Sequence, residues 1–559
     1  MIASLVIGIT NVVRRLRNAW RRLLRRRVDY VRIRLAGGLP EFAAPLPWWR
    51  KRLLGGQAGL SLSGLRRQLQ RIGDDPQAQG IVLEINGFAA GWATMQSLRD
   101  ELHSFRERGK RVVALVYTLD NAGFYVACAA DQILAPPTAM FSVLGFHTEV
   151  QYLRDALARI GVEAEVEAVS PYKAAYERFI RSEMTPENRA QTERLLDGRY
   201  STLVESIASA RGLPPERVRA LIDQAPLRAA EACEAGLLDA LLYDDELIAH
   251  LQQGEREPVV QEWPEAQKAL RLPMLRRFRK LVGVVAIEGT IVQGGSQRLP
   301  VPLPLLGQQQ AGSDSVAQAI RAAERNKRLA AVVLYINSPG GDAFASDLIW
   351  REIVRLQKQK PVVAVMGDVA ASGGYYIAAP TARIIAQPGT ITGSIGVISL
   401  RPNLSGLLAK ADIHTTTLSR GANSGLLASS QPLSESQRAA WRRMLLATYT
   451  EFKDRVKSGR QIDEDALEPI AGGRVWSGAD ARDLRLVDGL GGLPAGVRAA
   501  QELAKLPLDE RAPLVMLRGG PSSLPPQPFP ADSLAALLAA VEVGLKPRIW
   551  AILPWQERA

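Results

Sequence analysis

The residues best suited to chemistry are a serine and a lysine that lie far apart in the chain. Ser372 stands in Ala371-Ser372-Gly373-Gly374, after the β-branched run 362–366 and the breakers Gly367 and Asp368. The apolar stretch 375–379 follows it. This pattern predicts a buried strand over 362–366, a turn, and a buried helix. Small neighbours let a substrate backbone approach the turn. The start of a helix offers free N–H groups and a positive dipole end. A serine there can act as a nucleophile, because its alkoxide is stabilised. Taken alone, the same serine is an N-cap that only starts a helix.

A nucleophile of this kind needs an oxyanion site and a base. Ser338-Pro339-Gly340-Gly341 follows another strand-like run. Such a turn can aim successive N–H groups at one point, or can be a turn and nothing more. The four histidines, His103, His147, His250 and His414, sit in no distinctive setting, so a Ser-His-Asp triad has no candidate. Lysine serves as a base once burial lowers its pKa toward neutrality. Lys173 lies in Ser170-Pro-Tyr-Lys173-Ala-Ala-Tyr176, among small and aromatic residues. Taken alone, it is a surface lysine.

An internal repeat links the two. Asn86 and Asn337 close similar strands 251 positions apart, and Arg111 and Pro361 open matching strands at an offset of 250. Gly145 matches Gly396 at 251, and Asp239 matches Asp488 at 249. Near-constant offsets over such a length mark a duplication. The copies differ chemically. Ala122 stands opposite Ser372, Ala422 lies close to the position opposite Lys173, and Gly87-Phe88-Ala89-Ala90 replaces Ser338-Pro-Gly-Gly341. Nucleophile and base therefore each survive in one copy only.

The elements that must position them follow an α/β pattern of short apolar strands alternating with helices. The expected organisation is a basic amphipathic helix at 1–28, a first repeat at 29–251, and a linker at 252–280. A second repeat at 281–510 and a Pro-rich tail at 511–559 complete it. Within the tail, 532–545 reads as one more amphipathic helix. The chain of 559 residues carries a net charge of +13, yet eight arginines precede the first acidic residue, Asp29. The excess is local, which argues against a nucleic-acid-binding surface. The uncharged part of the first helix is too short to span a bilayer and lacks signal-peptide features. It reads instead as a helix lying on an anionic membrane, or else as a basic helix that packs on the protein or stays disordered. Two cysteines, Cys128 and Cys233, make neither a disulfide framework nor a metal site. No metal and no cofactor is expected.

The motifs Ser338-Pro-Gly-Gly341, Ala371-Ser-Gly-Gly-Tyr-Tyr376, Thr392-Gly-Ser-Ile-Gly396, the stretch 170–179 and the stretch 472–492 resemble the long, duplicated form of the signal peptide peptidase A (protease IV) family. The resemblance covers residues 30–500. It implies two tandem Clp/crotonase-like (ββα-repeat) domains and a Ser-Lys dyad assembled across the repeats. By motif match, Ser372 would be the nucleophile, Lys173 the general base and Ser394 the residue that orients the lysine. The amides of Gly340 and Gly341 would hold the oxyanion. The implied substrates are remnant signal peptides and other unfolded apolar segments, and the implied assembly is a homo-oligomer, a bowl-shaped tetramer. Apolar loops at Trp48-Trp49 and 303–306 would line its mouth or pack between subunits. The expected location is the bacterial inner membrane. Family members place the protease outside the cytoplasm on a true anchor, whereas the arginines here favour the cytoplasmic face. Two rival readings are a crotonase-type acyl-CoA enzyme, which needs no such dyad, and an inactive membrane scaffold.

Overall fold

The computed structural model describes residues 2–23, 27–43, 59–303, 307–519 and 548–552. It divides into two compact units: Met1–His147 with Asp197–Phe278, and Thr148–Leu196 with Arg279–Arg558. The units do not coincide with the contiguous repeats expected at 29–251 and 281–510. The segment Thr148–Leu196, which carries Lys173, belongs with the second repeat.

The first unit is built on a parallel sheet in the order Val260–Glu262, Tyr30–Gly37, Gly80–Phe88, Arg111–Val116, Gln132–Ala135, Ala240–Leu241. Ile81, Val82, Leu83, Val112, Val113 and Ala114 are fully buried. Unbroken apolar runs of this kind fit strands covered on both faces. Residues 252–280, expected as a linker, contain the edge strand Val260–Glu262 and the helix Trp263–Ala269. Backbone pairing to Tyr30–Arg32 draws this stretch into the sheet. The expected N-terminal helix runs over Ile2–Leu23. Among the described residues no helix is long and apolar enough to cross a membrane.

The second unit repeats the strand order Leu281–Glu288, Leu329–Ser338, Val362–Ala371, Arg383–Ala386, Gly489–Leu490. Strand for strand this is the order of the first unit, so the protein is a duplicated α/β fold. The strand expected to stop at 366 continues to Ala371. Gly367 and Asp368 do not break it, because a register shift lets Ser338 pair with Ala370 while Val369–Ala371 pair with Ile391–Gly393.

A second sheet of this unit has the order Gln297–Leu303, Gly307–Gly312, Thr290–Val292, Gly340–Asp342, Arg548–Ile552, Ile398–Asn403, Glu163–Ala168. Its last strand comes from the first repeat and pairs antiparallel to Ile398–Asn403, with Ala168 opposite Ile398. Arg548–Ile552, a stretch without an assigned role in the sequence, pairs with Gly340–Asp342. The helix expected at 532–545, Trp48, Trp49 and 304–306 lie outside the described residues.

Candidate active site

Ser372 occupies the turn between the strand Val362–Ala371 and the helix Gly373–Ala378. Its φ of 55 and ψ of −116 place an L-residue in a sparsely populated conformation. The turn is held because the Ser372 N–H donates to the Gly393 carbonyl at 2.8 Å and the Tyr376 N–H donates to the Ser372 carbonyl at 2.8 Å. The side chain makes no capping hydrogen bond, so it is free of the N-cap role that the sequence left open.

Lys173 reaches the same point from the strand Glu163–Ala168. Past that strand the Val169 N–H donates to the Val397 carbonyl, and the Ser170 hydroxyl donates to the Gly472 carbonyl. The Lys173 N–H closes a tight turn on the Ser170 carbonyl at 3.2 Å. Glu177, buried just beyond, accepts from the Thr185 N–H at 2.7 Å and from Asn188 Nδ2 at 2.5 Å. These bonds fix the lysine stem.

Nζ of Lys173 lies 2.6 Å from Ser372 Oγ. It also lies 2.9 Å from both the carbonyl oxygen and Oγ of Ser394. Lys173 is 1 % exposed, and Ser372 and Ser394 are 0 % exposed. Burial lowers the lysine pKa well below its ordinary value of 10.5. A neutral amine has two N–H groups and one lone pair. The Ser394 carbonyl can only accept, so one N–H is spent there, and Ser394 Oγ can take the other. The lone pair is then left for the Ser372 hydroxyl proton. That is the arrangement a general base needs.

The expected oxyanion turn lies beside the serine. A Cβ placed on Gly373 would come within 3.2 Å of Gly340 Cα and of the Gly341 nitrogen. The Gly340 N–H donates to Ser338 Oγ at 3.2 Å, so it is already engaged. One donor escaped the sequence reading: the Gly373 amide, the first of its helix, which has no intrahelical acceptor. Its signal was position, since the residue after a nucleophile at a strand–helix turn aims its N–H at the reacting carbonyl.

Gly473 also escaped notice. A Cβ there would sit 2.7 Å from Lys173 Cβ, at a φ of +85. The glycine pair 472–473 stood in the sequence, but nothing in it named the lysine as the neighbour.

Beside the site lies a cavity of about 600 Å³. Asp342, next to Gly341, and Tyr376, four residues after Ser372, are on its wall. Phe344, Leu427, Trp441 and Met444 make much of the rest apolar. Among the described residues, no three His, Cys, Asp or Glu side chains are grouped as a metal site would need.

Comparison with known proteins finds the same duplication. The model of peptidase family S49 matches residues 104–257 and 354–507, once in each repeat, and that of Clp protease matches 306–390. The protein named "Serine protease SPPA, chloroplastic" from Arabidopsis thaliana is 33 % identical over 480 residues, 84 % of this chain and 69 % of that one. "Protease 4" from Haemophilus influenzae is 30 % identical over 457 residues, 78 % of this chain and 72 % of that one. "Protease 4" from Salmonella typhi is 29 % identical over 460 residues, 80 % of this chain and 72 % of that one.

Proposed function

Because the chain belongs to peptidase family S49 and is a serine peptidase, we propose that it is a membrane-associated endopeptidase working through a Ser372–Lys173 dyad. The observation that carries the reading is the 2.6 Å separation of Nζ and Oγ between two buried side chains. Ser372 Oγ attacks a peptide carbonyl carbon while its proton passes to Lys173 Nζ. The tetrahedral oxyanion faces the amides of Gly341 and Gly373, with Gly340 able to join on leaving Ser338. The leaving amine takes the proton from Lys173, and the C–N bond breaks to give an acyl-enzyme. Water then attacks the ester, with Lys173 again the base. Ser394 positions the amine throughout.

The cavity lined by Phe344, Leu427, Trp441 and Met444 supports apolar side chains as the substrate class, such as those of remnant signal peptides. In the second repeat, the counterpart of the strand that precedes Lys173 falls near 412–418. There Ile413 and Leu418 are 53 % and 91 % exposed. A second copy that took this segment as an added strand would cover them, which supports a homo-oligomer.

The test is a fluorophosphonate label read by peptide mapping, together with hydrolysis of an apolar peptide ester. Ser372 carries the label in the parent protein. Ser372→Ala and Lys173→Ala both lose hydrolysis, and only residual labelling survives in the lysine variant. If either variant cleaves like the parent, the dyad is refuted.

A further inference from the structure

The helix Ile2–Leu23 is docked on its own unit with its polar side inward. Asn11 Nδ2 donates to the Leu275 carbonyl at 2.9 Å, and the Leu275 N–H donates to Asn11 Oδ1 at 2.8 Å. Asn18 repeats the pattern on Leu272, at 3.1 and 2.9 Å. Arg14 and Arg21 donate to the carbonyls of Pro273 and Leu270. The geometry is matched. Seven helical residues advance about 10.5 Å, and three extended residues advance about 10 Å. The two asparagines therefore meet the same backbone groups three residues apart on the strap 270–275.

Clamping the polar stripe turns the apolar stripe outward. Val6, Ile9, Val12, Val13, Leu16 and Trp20 are 54–67 % exposed. At about 100° per residue they form one face, opposite Asn11, Arg14, Asn18 and Arg21. Arg15 and Arg17, both exposed, fall on the two flanks between these faces. An apolar helix face bordered by arginines on both sides is complementary to a bilayer surface of apolar chains below anionic headgroups.

We propose that this helix is a monotopic membrane-docking element. It lies in the plane of an anionic bilayer, with Val6, Ile9, Val13, Leu16 and Trp20 among the acyl chains and the strap 270–275 holding its other side. This rests on the membrane association proposed above and gives its mode. A spanning orientation would strip the clamp from Leu272 and Leu275 and bury several arginines in hydrocarbon, which is costly.

The experiment is flotation of the full chain with vesicles of phosphatidylglycerol and phosphatidylcholine, or of phosphatidylcholine alone. The parent floats with the anionic vesicles, is released by alkaline carbonate, and binds the neutral vesicles far less. The double variant Ile9→Glu, Leu16→Glu binds the anionic vesicles on the order of a hundredfold more weakly, from the lost burial of two large side chains. It keeps the parent's hydrolysis of a soluble ester. If the parent floats with neither vesicle, membrane association itself fails. If it floats but resists carbonate, association stands and in-plane docking falls. If the double variant floats like the parent but changes its oligomeric mass, the apolar face meets a second copy and the proposal is overturned.

Discussion

Lys173 and Ser372 are separated by 199 positions in the chain, yet their reactive atoms are 2.6 Å apart. Each is carried there from the end of a strand; backbone hydrogen bonds hold the turn at Ser372, and the carbonyl and hydroxyl of Ser394 hold the Lys173 amine. Among the described residues no carboxylate is paired with the amine, and burial is the cause of its lowered pKa.

That cause sets a pH profile. The Lys173 pKa in the fold lies well below 10.5, its ordinary value. Hydrolysis, read as kcat/KM, should rise with unit slope through the lowered pKa and level off above it. Between the lowered value and 10.5 the unfolded chain binds the extra proton. The contribution of this residue to stability thus increases with pH across that window. Lys173→Met should be inactive, lose that slope, and melt at or above the parent at neutral pH. A meltdown of Lys173→Met at pH 7 would contradict the account.

Ser394→Ala removes one of the two acceptors that hold Nζ and leaves the carbonyl. A hydrogen bond to the ammonium form is stronger than one to the amine. Its loss should move the acid limb of the profile to lower pH. The misaligned amine should also reduce kcat by roughly ten- to a hundredfold, comparable to one lost buried hydrogen bond. A limb that moves upward, or an unchanged kcat, would show that Ser394 does not position the lysine.

Gly473→Ala tests the wall behind the lysine. The added Cβ would meet Lys173 Cα at 2.9 Å as well as Cβ, and these atoms cannot swing away. The left-handed backbone there costs an alanine about 1–2 kcal/mol more. Hydrolysis should drop at least a hundredfold while Ser372 is still present, with a lower melting temperature. Parental turnover in this variant would refute the contact.

Met444→Glu places a charge on the wall of the 600 Å³ cavity. Met444 is 43 % exposed, so the fold should tolerate the change. The kcat/KM for peptides with large apolar side chains should drop about tenfold or more through KM, while a small, polar ester is little affected. Equal loss on both substrates would remove the cavity from substrate binding.

Cys128 offers a control. Burial pushes its thiol up to about 12, so it stays protonated and unreactive in the fold. Iodoacetamide at neutral pH should leave Cys128 unlabelled until the protein is denatured, as peptide mapping would read. Labelling in the native state would mean that the helix following Asp120 opens easily.

By itself the sequence determined the duplication, the α/β alternation, the split of Ser372 and Lys173 between the copies, and the Gly340-Gly341 turn, whereas Ser394 entered only through the family resemblance. These are local: hydrophobic period, glycine spacing and repeat offset are all written along the chain. The tertiary structure alone decided the rest, because it depends on which strands pair. Pairing of Glu163–Ala168 with Ile398–Asn403 moves Thr148–Leu196 into the second unit and so brings the amine to the hydroxyl. The same applies to Gly473 against Lys173, and to Arg548–Ile552 beside Gly340–Asp342. The first helix makes the point most sharply. Its amphipathic period is legible in its residues, but that its polar face turns inward is set by backbone groups of Leu272 and Leu275, more than 250 residues away.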